Sequence, residues 1–590
     1  MYNKHSFHIP VMGIAFTIDS PIKVARFGID SVISIVEDHI IETMRNHYSA
    51  VANKKYIPIS NQEDDYRAKR IQDYLNLVNE IVHQQINILK KSAFDKGTEL
   101  VKYFELLPSE HPAKKLYIKF NNTIDKVEKF NLERSLRELI TPGSIDVNIM
   151  TKVDKDNFNK QGELLVDQSD AVAALRGYAK SDLEHSAIVF SAGLNPRLYN
   201  YLEQHHEAFK IDSQGRFKKR IIIKVSDYRS ALIQGKYLAK KGFWVSEFRI
   251  ESGLNCGGHA FATDGMLMGP ILEEFKEKKE ELKNSLYELY HKYNTENNVN
   301  DFFGCPELKI TAQGGIGTHE EDQLLRNYYE IDSTGWGTPF LLVPEATTVD
   351  EHTLKKLAGA TEDDIKLSHN SPLGVRFHYL KGTSSYEEKL NRIKDGKPGS
   401  PCPEKHLALN NEFKGEALCT ASKKYQKLKI AEIESLDIDE EERKNQLSKV
   451  LDKECLCIGL SNAAAINYKK PFIKNNSSVT ICPGPNIVNF NKVVSLSTMV
   501  DHIYGRDNIM SNPNRSHMFI NELKLYIDYL VEQLIEAKNL EEDTKKRKSL
   551  INYCNNLHEG IQYYRSLKLF DRDLEFYEAE LKKLEELYLQ

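Results

Sequence analysis

Long apolar runs are missing from this 590-residue chain. No stretch reaches the ~18 residues that a helix needs to cross a bilayer, so no membrane span is expected. The beginning of the chain also lacks the apolar core of an export signal. Met1 to Pro10 is polar and rich in histidine, and Ile14-Ala15-Phe16 is soon broken by Asp19 and Pro21. An excess of charge is lacking too: the formal net charge of -5 is too small to point to nucleic acid as an obligatory partner. Cysteine is sparse, with eight in the chain and no CxxC pair. Together with the missing signal, this leads us to expect a cytoplasmic protein whose cysteines are thiols or metal ligands, not a disulfide framework. Aromatic residues are abundant, with 29 Tyr and 25 Phe, which excludes a disordered chain. The length allows roughly two to four domains.

The first half alternates short apolar segments with helical patterns. Candidate strands are Val11 to Phe16, Ser31 to Val36, Ile145 to Met150, Ala187 to Phe190, Ile221 to Val225, Val245 to Ile250, Leu308 to Ala312 and Ile331 to Thr334. Eight strands separated by helices predict an α/β fold, a closed (β/α)8 TIM barrel, since an open sheet would leave shorter and more polar edges. Residues 1–385 would form this barrel. A long helical insertion falls at about 37–144, large enough for a cap or subdomain, and a smaller one at about 271–305. From about Ser400 the composition changes. Residues 386–500 form a cysteine-containing accessory region, and 501–590 a helical C-terminal region whose Glu/Lys runs read as solvated faces.

In such a barrel, chemistry gathers at the C-terminal ends of the strands. Met12-Gly13 falls within the first predicted strand, where glycine lets a flat ligand approach the backbone. Asn148 and Lys152 end the third. Lys224 is a charged residue in an apolar strand and needs either a ligand or a buried partner. The sixth strand runs into Glu251-Ser-Gly-Leu-Asn-Cys-Gly-Gly-His259, a tight loop that can aim His259 into the barrel mouth as a proton acceptor. The alternative is a histidine that packs or caps the loop. Glycine-rich turns follow the seventh strand, Ile310-Thr-Ala-Gln-Gly-Gly-Ile-Gly317, and the eighth, Gly335-Trp-Gly-Thr338. These are the places where a barrel binds a phosphate on backbone N–H groups. Spacing alone leaves open whether that phosphate belongs to FMN or to a sugar-phosphate substrate.

The order Met12-Gly13, Glu251 to His259, Ala312 to Gly317, Gly337-Thr-Pro-Phe-Leu341 with Glu345, and Ser371-Pro-Leu-Gly374 resembles the nitronate monooxygenase (2-nitropropane dioxygenase-like) group. It also resembles related enoyl reductases of fatty acid and polyketide synthesis. The resemblance covers about residues 10–380 without the insertions. It implies a flavin-dependent oxidoreductase with FMN on the Met12-Gly13 backbone and near Asn148, Lys152, Lys224 and Ser252. The phosphate would lie on Gly314, Gly315, Gly337 and Thr338, with Gly317, Gly335 and Trp336 also at the cofactor. His259 would be the active-site histidine, with Lys224 and Cys256 beside it. The chain departs from the family at Asn255-Cys256, where Glu-Ala is usual, at Trp336, and in its insertions and tail.

Cys402, Cys419, Cys455, Cys457 and Cys482 follow the barrel. Their number suits a [4Fe–4S] cluster, which would relay single electrons to a flavin, or structural zinc. Their irregular spacing equally suits ordinary buried cysteines. The leading expectation is an FMN oxidoreductase acting on a small organic substrate, with histidine-assisted proton transfer. Rival expectations are an enoyl reductase-type flavoenzyme, a phosphate-sugar isomerase or aldolase with Lys224 as Schiff-base residue, and a non-catalytic scaffold. The substrate, an electron-donating or electron-accepting protein and a second copy of the chain are the partners left open.

Overall fold

Buried, β-branched segments dictate the centre of the molecule. The computed structural model describes residues 4–35, 37–191, 193–297, 299, 304–401, 404–470, 477–538, 544–568 and 570–588. Its strands are β1 (Phe7–Ile9), β2 (Asp30–Ser34), β3 (Ile145–Met150), β4 (Ser186–Ser191), β5 (Lys219–Val225), β6 (Val245–Glu251), β7 (His259–Ala260), β8 (Lys309–Gln313), β9 (Ser333–Gly335), β10 (Ile365–Ser368) and β11 (Arg376–Leu380). Eight of them close a parallel barrel in the order β1-β2-β3-β4-β5-β6-β8-β9, with β1 pairing to both β2 and β9. The remaining three form a small antiparallel sheet, β10-β11-β7. Helical insertions and a mainly helical C-terminal region complete the fold.

The first strand is not the predicted one. Val11 to Phe16 lies in turns beyond the end of β1, where Gly13 takes φ +54° and the N–H of Ala15 donates to the Leu460 carbonyl. The segment is apolar because the post-barrel chain covers it. The true strand hides behind His5, Ser6 and His8, of which His8 is buried in the barrel. Met12-Gly13 therefore sits above the strand end and not within it.

Alternation along the strands separates two interiors. Phe7, Ile9, Phe248, Ile250, Ile310 and Ala312 belong to the large core that also contains the surrounding helices. Val32, Ala187, Val189 and Ile222 form a small separate cluster. On the same faces as Glu251 and Gln313 lie Glu247, Arg249 and Thr311, all buried. Arg249 Nε donates to Glu247 Oε1 at 2.9 Å and Thr311 Oγ1 donates to the same oxygen at 2.6 Å, so the charges are paired and hydrogen-bonded.

The long inserted helix Tyr66–Lys91 packs along the flank of the barrel, against the helices Asp38–Val51 and Asp170–Lys180. The approach is close: a methyl at Gly177 would come within 2.7 Å of the Ala68 carbonyl oxygen. The C-terminal helices Met518–Lys538, Thr544–Ser566 and Asp571–Tyr588 share the main core with the barrel, which runs from Phe7 to Leu584. Among the described residues no helix is long and apolar enough to cross a membrane.

Candidate active site

The strand ends and the loops above them enclose a cavity of about 230 Å³. Its wall includes Met12, Gly13, Asn148, Lys224, Cys256, His259, Gly314, Gly315, Gly335, Gly337 and Thr338, which the sequence singles out. Glu251 and Gln313, which lie within the quoted motifs, join them, and so do Glu37, His406, Leu456 and Leu460, which no sequence motif announces. The signal that could have found Glu37 is its position, three residues beyond β2. His406, Leu456 and Leu460 come from the post-barrel chain, where no pattern fixed a fold.

Loop chemistry explains how His259 is placed. Gly257 and Gly258 carry the chain to β7, which pairs with β11 so that His259 stands beside Phe377. A Cβ on Gly257 would meet the Cys482 carbonyl oxygen at 2.9 Å, and Gly258 takes φ +87°. The Gly258 N–H donates to Cys482 Sγ at 2.7 Å, which ties the turn to the post-barrel chain. His259 Nε2 lies 2.6 Å from Ser371 Oγ, and its ring meets Phe377 edge-on at 5.1 Å. Burial, with Lys152 adding to it, pushes the ring down to about 4, so His259 is neutral at physiological pH.

The polar floor is a short chain of contacts. Lys224 Nζ pairs with Glu251 Oε2 at 2.8 Å, and Gln313 Nε2 donates to Glu251 Oε1 at 2.6 Å. The lysine thus has an ion-pair partner, a half-buried one, while still lining the cavity. Asn148 Oδ1 is buried without a hydrogen-bond partner although the residue borders the cavity, whereas the Gln313 side chain is engaged with His8 inside the barrel. An unpartnered amide oxygen in such a place is an acceptor for an N–H or O–H group of a ligand.

Four residues expected to contact the cofactor lie off the wall. The N–H of Gly317 is taken by Glu321 Oε2 at 2.7 Å, within the capping box of helix His319–Asn327. Ser252 turns away and gives its hydroxyl to Glu522. Trp336 is fully buried, with its indole N–H on Thr334 Oγ1 and its ring perpendicular to that of His502. Lys152 is exposed at the rim, its ammonium 4.0 Å from the centre of the Phe261 ring. Thr338 lines the cavity but commits its hydroxyl to the Pro483 carbonyl.

Cys256 also lines the cavity, but burial, with Glu251 adding to it, pushes its thiol far above the usual range. A protonated thiol is a poor nucleophile, so the geometry gives no support to a thiolate role. Of the five post-barrel cysteines, Cys402 lies outside the described residues. Cys457 and Cys482 reach the cavity, while Cys419 packs with Val153, Leu407 and Ala421, and Cys455 is buried. Among the described residues the one group of three ligand-type side chains within 4.8 Å is Glu37, Asp38 and His39. The described cysteines are therefore not gathered as a metal or cluster site. Cys457 packs against the apolar cluster that holds Cys419.

No family model matches the chain, and no curated protein matches it. Among solved structures, the chain is similar to the enoyl reductase domain of MlnA from the macrolactin biosynthesis cluster of Bacillus amyloliquefaciens. The two are 16% identical, the match covers 69% of this chain and 87% of that one, and the TM-score is 0.32. At that distance no residue role passes from one chain to the other, and the barrel stands on its own strand ladder.

Proposed function

We propose that the cavity holds FMN and that the chain is a flavin-dependent oxidoreductase acting on a small organic substrate. One observation carries the reading. The glycine turns after β8 and β9 and the Met12-Gly13 backbone border the same cavity as Asn148, whose buried amide oxygen has no partner. Gly314, Gly315, Gly335 and Gly337 would present backbone to the phosphate end of the cofactor. Asn148 would accept a hydrogen bond from its ring. A bound flavin would supply two-electron transfer. Lys224 is committed to Glu251, which favours this reading over a Schiff-base lyase.

His259 is the proton-handling group of the proposal. It is neutral, half-buried and held by Ser371, so it is always available as an acceptor. Its low basicity makes it a weak base, and its conjugate acid returns a proton readily. Reduction of an activated double bond ranks ahead of nitronate oxidation, because His259, the proton-handling group, carries no charge with which to hold a nitronate anion. The test is the visible absorbance of the purified full-length chain, followed by addition of excess FMN. A bound flavin, with its spectrum perturbed relative to free FMN, is the expected result. A chain that carries no flavin and takes up none overturns the proposal.

A further inference from the structure

A neutral imidazole has one nitrogen that accepts a hydrogen bond and one that donates. For His259, the hydrogen bonds of Ser371 decide which is which. Ser371 is fully buried, and its Oγ lies 2.6 Å from His259 Nε2. The N–H of Leu373 donates to the same Oγ at 3.2 Å. Among the described residues Oγ has no third partner.

A hydroxyl has one proton to give and two lone pairs to fill. Were Nε2 protonated, Oγ would accept from both Leu373 and His259, and its own proton would be buried with nothing to receive it. Leaving a buried donor unpaired weights the balance against that arrangement by about 5- to 150-fold. With Nε2 bare, every group is satisfied. The Leu373 N–H donates to Oγ, the Ser371 O–H donates to Nε2, and the ring proton sits on Nδ1.

Both members of the pair are held from outside. Lys453 Nζ donates to the Ser371 carbonyl at 2.8 Å, and the Glu454 N–H donates to the Asn370 carbonyl at 3.0 Å, so the post-barrel chain fixes the serine. The ring is fixed by the pairing of β7 with β11 and by the edge-on contact with Phe377. Among the described residues Nδ1 has no hydrogen-bond partner, and it is not sealed from the cavity that the ring lines.

We propose that Ser371 is a positioning residue that holds His259 in the Nδ1–H form, so that the ring meets a bound molecule as a hydrogen-bond donor and takes an acceptor atom, such as a carbonyl oxygen. The inference deepens the flavin reading and rests on it for what the donor does to a substrate. The ring remains an acceptor, but at Nε2 and toward Ser371; a proton handed to the substrate leaves from Nδ1. An oxygen that gains charge during reduction would find there a donor already in place.

The test is magic-angle-spinning NMR on the full-length chain carrying 13C,15N-labelled histidine, with each ring nitrogen identified through its neighbouring ring carbon. Spectra are taken near neutral pH, well above the value of about 4 at which the ring gains a second proton. Resonances missing in H259N identify the ring. Wild type should show Nδ1 as a protonated nitrogen and Nε2 as a bare one shifted by its hydrogen bond. S371A removes the O–H and should lose the bias of about 5- to 150-fold, so the two nitrogen resonances move toward each other as the two forms exchange. S371T keeps the O–H and should keep the wild-type pattern. A protonated Nε2 in wild type overturns the inference, as does an S371A spectrum identical to wild type. Should either serine variant fail to fold, the wild-type spectrum still decides. Flavin content is read on the same samples. A flavin-free chain in the Nδ1–H form removes only the flavin reading, and a flavin-loaded chain with a protonated Nε2 removes only this inference.

Discussion

Gly315→Ala isolates the tightest backbone approach in the cavity wall. Gly315 has φ +78°, and an added Cβ would fall 2.0 Å from Asn255 Nδ2 and 2.5 Å from its Cγ. Asn255 cannot yield cheaply. It is 3% exposed, its Nδ2 donates to the Met518 carbonyl at 3.0 Å, and its N–H donates to Ser252 Oγ. Two costs add. The left-handed backbone costs an L-residue about 1–2 kcal/mol. Displacing the Asn255 amide leaves a buried carbonyl unpaired, at about 1–3 kcal/mol. The sum of about 2–5 kcal/mol is a large fraction of a typical folding free energy. Gly162→Ala supplies the control, because Gly162 has φ +82° but nothing within 4 Å of its added Cβ. It should show the backbone cost alone. Urea unfolding followed by fluorescence compares the two variants, and flavin uptake is measured on the folded fraction. Combining G315A with N255A should recover part of the loss, since the two side chains compete for one space. If G315A and G162A destabilise within about 0.5 kcal/mol of each other, the usual scatter for unconnected sites, the reasoning about Asn255 is wrong.

The remaining expectations concern single groups. H259N should retain flavin but slow substrate-dependent flavin reduction by roughly 10²–10⁴-fold in rapid-mixing experiments; an unchanged rate and pH profile removes His259 from the chemistry. R515M should destabilise the chain by about 3–5 kcal/mol in urea unfolding. Arg515 is a buried partner of Glu321 and donates to the Gly315 carbonyl and Asn486 Oδ1, so a loss under 1 kcal/mol, the range of a surface pair, would refute the role. Burial raises the Glu522 carboxyl from 4.5 to about 7. The folded chain therefore keeps a proton that the unfolded chain has lost, and this component of stability falls as pH rises from 4.5 to about 7 and then levels. E522Q should accordingly gain on wild type across that window in thermal melts, and a pH-independent difference would contradict the assignment.

The barrel was legible where strands are continuous, β-branched and buried on both faces. Ile145 to Met150, Ile221 to Val225 and Val245 to Ile250 carry enough apolar surface to announce themselves. The first strand was not legible, because Phe7–Ile9 is short and places His8 inside the barrel. Its apolar neighbour Val11 to Phe16 looked like a strand for a tertiary reason: Phe16 and Ala15 are buried under chain that arrives more than 400 residues later, at Leu460. Periodicity reports burial, and burial by a distant segment carries no local signature. The same limit separated Gly314 and Gly315 from Gly317. All three read as one phosphate turn, yet the capping box of the next helix claims the third.

The post-barrel chain shows why the site was only half readable. Leu456, Cys457, Leu460, Cys482 and Pro483 close over glycine turns that the barrel provides. The Gly258 N–H on Cys482 Sγ and the Thr338 hydroxyl on the Pro483 carbonyl tie the two parts together at those turns. A thiol set in sequence beside other thiols suggests a shared metal, but here one sulfur satisfies a backbone donor and pins the loop that aims His259. Arg515 does the equivalent for Gly315, and Glu522 for Ser252. Each of these contacts joins a motif residue to one with no motif, so the glycine-rich turns alone define where backbone is exposed, not its fixed shape. In this chain that shape depends on a region that sequence pattern reads as accessory, and changes at Cys482, Arg515 or Glu522 should therefore reach the cavity through the turns they hold.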